Sequence, residues 1–137
     1  MIAIDTSVLI DIIGSGSHAA ASEAALLQAL AQGPVVACEV VLSEVVAGLG
    51  HGSVIIDALE ESGIGFSALE QRSAVRAGEM QRRYKERSAV AAAAQRRSIP
   101  DFLIGAHALL QCSGLITRDA DFFRDYFKGL KVIVPRP

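Results

Sequence analysis

The opening stretch MIAIDTSVLIDII, residues 1–13, decides the fold. Its apolar run from Ile2 to Ile4 stops at Asp5 and resumes from Val8 to Ile13, ahead of the turn-forming cluster Gly14-Ser15-Gly16-Ser17. A strand, a short helix and a loop fit that order. Ala19 to Ala31, with Leu26, Leu27 and Leu30 among strong helix formers, is predicted helical and ends at Gly33-Pro34. Pro34 to Cys38 reads as a strand, and Val40, Val41, Val45 and Val46 as a helix closing at Gly48 and Gly50. A helix over Ser53 to Glu61 and a short strand over Ile64 to Phe66 follow.

In the second half, Ala74, Ala77 and Met80 oppose a basic face, which predicts an amphipathic helix. The alanine-rich run Ala89 to Ala94 either extends that helix or forms a surface piece. Ser98-Ile99-Pro100-Asp101 carries a helix start, with Ser as cap, Pro early and an acid three residues on. Leu103, Ala106 and Leu110 continue the stripe to Gly114. Leu115 to Thr117 is then a strand, Asp119 to Phe127 a helix and Lys131 to Val134 a last strand. Strands alternating with helices define an α/β class with a largely parallel sheet, in one domain over residues 1–137.

With 137 residues and 51% hydrophobic content, the chain can bury a core without staples, so Cys38 and Cys112 read as small core residues in a reducing compartment. The apolar stretch from Pro34 to Gly50 is interrupted by Glu39 and Glu44, and the N-terminus has no basic leader, so neither a membrane crossing nor secretion is expected. The expected compartment is the cytoplasm. Net charge is −2, but it is segregated: residues 72–97 hold eight basic and two acidic side chains, +6, and the remainder is −8. Such a chain offers one surface to polyanions and gathers carboxylates elsewhere.

Four acids stand beside the most apolar parts of the chain: Asp5, Glu44, Asp101 and Asp119. Asp5 and Asp119 each follow a predicted strand, which places them where open parallel sheets collect ligands. Clustered carboxylates repel one another, and oxygen donors without His or Cys suit a hard divalent ion, Mg2+ or Mn2+, rather than zinc. Such an ion polarises a phosphate oxygen and lowers the pKa of water, the requirements of phosphoryl chemistry. The competing reading is that Asp5, Asp101 and Asp119 only cap helices.

The order Asp5-Thr6-Ser7-Val8-Leu9-Ile10, Ser43-Glu44-Val45-Val46-Ala47-Gly48, Pro100-Asp101-Phe102-Leu103-Ile104-Gly105-Ala106-His107-Ala108 and Thr117-Arg118-Asp119-Ala120-Asp121-Phe122 resembles the PIN-domain family, and within it the VapC-type toxins of toxin–antitoxin pairs. The resemblance covers nearly the whole chain. It implies a three-layer α/β/α fold and a Mg2+-dependent endoribonuclease whose metal is held by Asp5, Glu44, Asp101 and Asp119, with Asp121 as an accessory ligand. It also implies a hydroxyl contact from Thr6, for which capping the following helix is the alternative, together with homodimers and a cognate antitoxin whose segment covers the acidic groove. Arg82, Arg83, Arg96, Arg97 and Arg118 are the candidates for RNA backbone contacts, which position rather than specify.

Two rival functions remain on sequence grounds. A haloacid-dehalogenase-like phosphohydrolase also places an Asp after its first strand, yet Ser7 stands where its second Asp is expected. The other is a non-catalytic binding module whose acids have become structural or regulatory, against which the retention of all four acids counts. His107 falls off the Asp101 face and reads as a packed residue, His18 and His51 as surface residues. No G-x-S-x-G, G-x-x-x-x-G-K-[ST] or G-x-G-x-x-G occurs, which removes serine-hydrolase, P-loop and dinucleotide readings.

Overall fold

The computed structural model describes residues 1–88 and 97–136. The elements in order are β1 (Ile2–Ile4), α1 (Thr6–Ile13), α2 (Ala19–Leu30), β2 (Val35–Ala37), α3 (Glu39–Leu49), α4 (Gly52–Glu61), β3 (Ile64–Phe66), α5 (Gln71–Ser88), α6 (Ile99–Gln111), β4 (Gly114–Ile116), α7 (Ala120–Tyr126) and β5 (Val132–Ile133). The strands form one parallel sheet in the order β3-β2-β1-β4-β5, flanked by helices in the expected α/β/α arrangement. β2 and β4 are buried throughout, as strands covered on both faces must be. Among the described residues no helix is long and apolar enough to cross a membrane.

The strand order positions the site. The chain starts in the middle at β1, steps outward to β2 and β3, and returns to the other side for β4 and β5. The direction of winding therefore reverses between β1 and β4, which pair in register Ile2 with Gly114, Ala3 with Leu115 and Ile4 with Ile116. A crevice at such a reversal, beyond the carboxyl ends of the strands, is where open α/β sheets bind ligands.

The apolar core runs from Ile4, Val8 and Leu9 through Val35, Val41 and Ile55 to Leu115 and Ile116. Against it packs an aromatic cluster of Tyr84, Phe102, Phe122, Phe123, Tyr126 and Phe127, with neighbouring ring centroids 5.0–6.4 Å apart. Six of the seven aromatic residues thus brace α5, α6 and α7 against one another, leaving only Phe66 exposed. Gly105 admits this packing, because a Cβ there would run into the Phe127 ring.

Several local expectations shift. The inner face of α5 carries Ala77 and Met80 as expected, joined by Ser73 and Tyr84, while Ala74 is exposed. The Ser73 hydroxyl donates to Gln111 Oε1 of α6 at 2.8 Å, which makes a polar residue acceptable inside. Ser98 sits at the cap of α6 but makes no side-chain capping bond. The run Ala89 to Ala94 and Arg96 lie outside the described residues.

Candidate active site

Asp5 follows β1 directly, and its backbone N–H donates to the Ile116 carbonyl at 2.9 Å, tying it to the end of β4. Asp5, not Thr6, is the N-cap of α1: its Oδ1 accepts from the Thr6 N–H at 2.8 Å. Its Oδ2 accepts from the Thr117 hydroxyl at 2.7 Å. Thr117 is fully buried and accepts in turn from the Asp119 N–H at 3.0 Å, so one hydroxyl links two acids from opposite ends of the chain. Residues Thr117 and Asp119 thereby gain a shared geometry that their spacing in sequence did not disclose.

Glu44 stands in the sixth position of α3 and accepts a 2.6 Å hydrogen bond on Oε1 from the Thr6 hydroxyl. Thr6 thus positions Glu44 rather than capping the helix. Asp101 occupies the first turn of α6. Burial raises the Asp5 carboxyl from 3.8 to about 6 against its two hydrogen bonds, and the charges of Asp101 and Glu44 add to the rise. Burial likewise raises Asp101, the positive charge of Arg97 and the Ser98 amide oppose it, and Glu44 and Asp119 push the same way as burial. Asp5 therefore feels the charges of Asp101 and Glu44, and Asp101 those of Glu44 and Asp119.

Asp121 lies exposed in the first turn of α7, outside this hydrogen-bonded group. Arg97 turns inward: its Nη1 lies 2.5 Å from Asp119 Oδ2 and its guanidinium 4.4 Å from the centroid of the Phe122 ring. Arg118 is held by Asp11, with Nε 2.8 Å from Oδ2 and Nη2 3.2 Å from Oδ1. Asp11 is buried in α1 and accepts also from the Ser22 hydroxyl of α2 at 3.1 Å. This pair anchors the loop that carries Asp119, a function invisible in sequence because Asp11 looks like an ordinary polar position on a short helix.

Arg82 and Arg83 lie exposed on α5, with Arg82 3.3 Å from Glu86 one turn on. Arg83 lines a cavity of about 320 Å3 with Arg76, Arg87 and Lys128, floored by Met80 and Leu109. His107 is buried, 3.0 Å from the Ser67 hydroxyl, and its burial lowers its pKa, as fits a packed neutral imidazole. His18 and His51 are exposed, Cys38 is buried and Cys112 half-buried, and both thiols are free.

The donor set is chemically suited to a hard divalent cation, since all four crevice acids offer oxygen and no sulfur or imidazole joins them. The Ser7 hydroxyl, two residues from Asp5, is a further buried oxygen with no partner among the described residues. Among those residues no three acidic, histidine or cysteine side chains are yet gathered closely enough to enclose an ion. Asp5, Glu44 and Asp119 are each turned toward a separate partner, respectively Thr117, Thr6 and Arg97.

The sequence matches the PIN domain family over residues 2–128, nearly its whole length, and the chain belongs to that family. Its fold is similar to a chain of VapBC2 from Rickettsia felis, solved bound to a promoter DNA fragment, at TM-score 0.71 and 18% identity over 98% of each chain. A chain of a toxin–antitoxin complex from Klebsiella pneumoniae aligns at TM-score 0.64 and 24% identity, covering 99% of this chain and 98% of that one. DNA-bound VapBC from Salmonella typhimurium aligns at TM-score 0.65 and 14% identity over 98% of each. No curated protein matches the sequence.

Proposed function

We propose that this PIN domain is a divalent-cation-dependent endoribonuclease, the toxin half of a toxin–antitoxin pair. The observation that supports the reading most is the link from Asp5 through the buried Thr117 hydroxyl to Asp119, beside the place where β1 and β4 reverse the winding of the sheet. Asp5, Glu44, Asp101 and Asp119 would hold Mg2+, or Mn2+ in its place, with Asp121 able to join from the edge. A cation bound there supplies charge neutralisation at the scissile phosphate and a water of lowered pKa.

The chain's own groups do the rest. Thr6 and Thr117 fix the orientations of Glu44 and Asp5. The Asp11–Arg118 pair holds the Asp119 loop. The exposed cations of α5 supply non-specific attraction for the RNA backbone. The similar chains were solved within toxin–antitoxin complexes, which supports an antitoxin as the partner, and the family resemblance implies a homodimer.

The phosphohydrolase alternative expects a second Asp two residues after Asp5, where Ser7 stands. The test is expression of the chain and of its Asp101→Asn form in cells, following growth and RNA integrity. Growth arrest with RNA fragmentation from the first and neither from the second is expected. Equal toxicity of the two forms overturns the proposal.

A further inference from the structure

Arg97 is the odd member of the basic segment. In the ion pairs of α5, the arginine side chains are 40–84% exposed, while that of Arg97 is 22% exposed. Its Nη1 contacts Asp119 at 2.5 Å, its guanidinium lies over the Phe122 ring, and its backbone N–H donates to the Tyr84 hydroxyl at 3.1 Å. The residue is thus fixed from three sides with its charge directed at an acid of the crevice. Its field also favours the ionised form of Asp101. A weakly hydrated, planar cation stacked on an aromatic face suits such a half-buried position better than an ammonium does.

We infer that Arg97 is a built-in counter-ion of the acid cluster, which holds Asp119 while no divalent cation is bound and must release it for one to bind. The inference rests on the cation-dependent reading above and deepens it. It also accounts for the dispersed arrangement: Asp119 is drawn toward Arg97 and away from a centre shared with Asp5 and Glu44. One carboxylate oxygen cannot serve a guanidinium at 2.5 Å and a divalent cation at full strength together, so the two cations compete. An RNA-tracking arginine would instead stand exposed, as Arg83 does.

The experiment is calorimetric titration of Mn2+ into the full chain, the Arg97→Gln form and the Arg97→Lys form, with melting temperatures measured with and without the ion. Removing the competing charge from a partly exposed pair should tighten Mn2+ by about three- to tenfold. Arg97→Lys keeps the charge but not the stacked guanidinium, and should fall between the parent and Arg97→Gln. Arg97→Gln should melt lower without Mn2+ and gain more from it. Binding by Arg97→Gln alone, with none by the parent, supports the inference in its strongest form. Equal or weaker Mn2+ binding by Arg97→Gln overturns the inference and leaves the cation-dependent reading intact. No Mn2+ binding at millimolar concentration by any of the three forms removes that reading and this inference with it.

Discussion

The acidic crevice and the basic helix carry opposite charge, and they are built in opposite ways. The crevice draws on single acids from four distant segments, of which Asp5 is buried and the other three half-buried, and ties Asp5, Glu44 and Asp119 each to a named partner. Helix α5 takes its cations from one continuous stretch and leaves most of them exposed, some in turn-to-turn pairs such as Arg82 with Glu86, while Arg72 donates to the Leu110 carbonyl and Arg87 lies over the Tyr126 ring. The first arrangement suits chemistry, where atoms have to be placed; the second suits attraction to a flexible polyanion, where charge alone suffices. Substitutions in the two regions should therefore differ in size and in kind.

The largest effect belongs to the crevice. Asp5→Asn keeps the shape of the side chain but removes a charge from the cluster, and RNA cleavage should fall at least about a hundredfold. A rate within a few-fold of the parent would show that the buried acid is only a helix cap. The same substitution should act on stability in the opposite direction. Because burial lifts Asp5 to about 6 from 3.8, the folded chain takes up a proton between those values that the unfolded chain does not. The stability from that proton is fully present below about pH 4 and is lost as pH rises through 6, a change of up to about 3 kcal/mol. Denaturant unfolding of the cation-free protein from pH 4 to 8 should show this slope in the parent, and a shallower one in Asp5→Asn, which should also be the more stable of the two at pH 7.5. Identical slopes would remove the burial argument.

Between the two regions lies the Asp11–Arg118 pair. Arg118→Ala leaves Asp11 buried with only the Ser22 hydroxyl, which should cost about 2 kcal/mol after allowance for the partial exposure of Arg118. Thermal unfolding should show a loss of several degrees, with much of it recovered by Asp11→Asn in the same chain. The smallest effect is expected on α5. Arg83→Ala with Arg87→Ala should weaken RNA binding several-fold and reduce the salt dependence by roughly 0.7 per lost phosphate contact. Cleavage at saturating RNA should be unchanged; a large fall there would mean that α5 places the substrate rather than merely attracting it.

What could be read beforehand differs between the regions for the same physical reason. The strands and helices announce themselves because apolar runs of two periods are broken by Gly and Pro, and the four acids are conspicuous because each interrupts or ends such a run. Basic clustering on α5 is a local property and needs no fold. Convergence of the acids is not local, since it depends on β1 pairing with β4, so Asp5 and Asp119 could be placed on one crevice only on the condition that their strands were neighbours. The inward turn of Arg97 was hidden within a charge run that resembles a solvated face. Thr117, as the link between Asp5 and Asp119, and Asp11, as the anchor of Arg118, depend on contacts across 112 and 107 residues of chain. Ser98 and Ala74 show the finer limit: a helix can be located from its pattern while its capping bond and the edge of its buried face are decided by neighbours, here Gln111 receiving Ser73.

The most direct test of the central claim uses the purified chain on a single-stranded RNA, with Mg2+ present, then removed by chelation, then restored. Cleavage that stops on chelation, returns with Mg2+ and is missing throughout from Asp101→Asn is the predicted result. Cleavage that persists in the chelator, or that Asp101→Asn performs as well as the parent, contradicts a divalent-cation site built from these four acids.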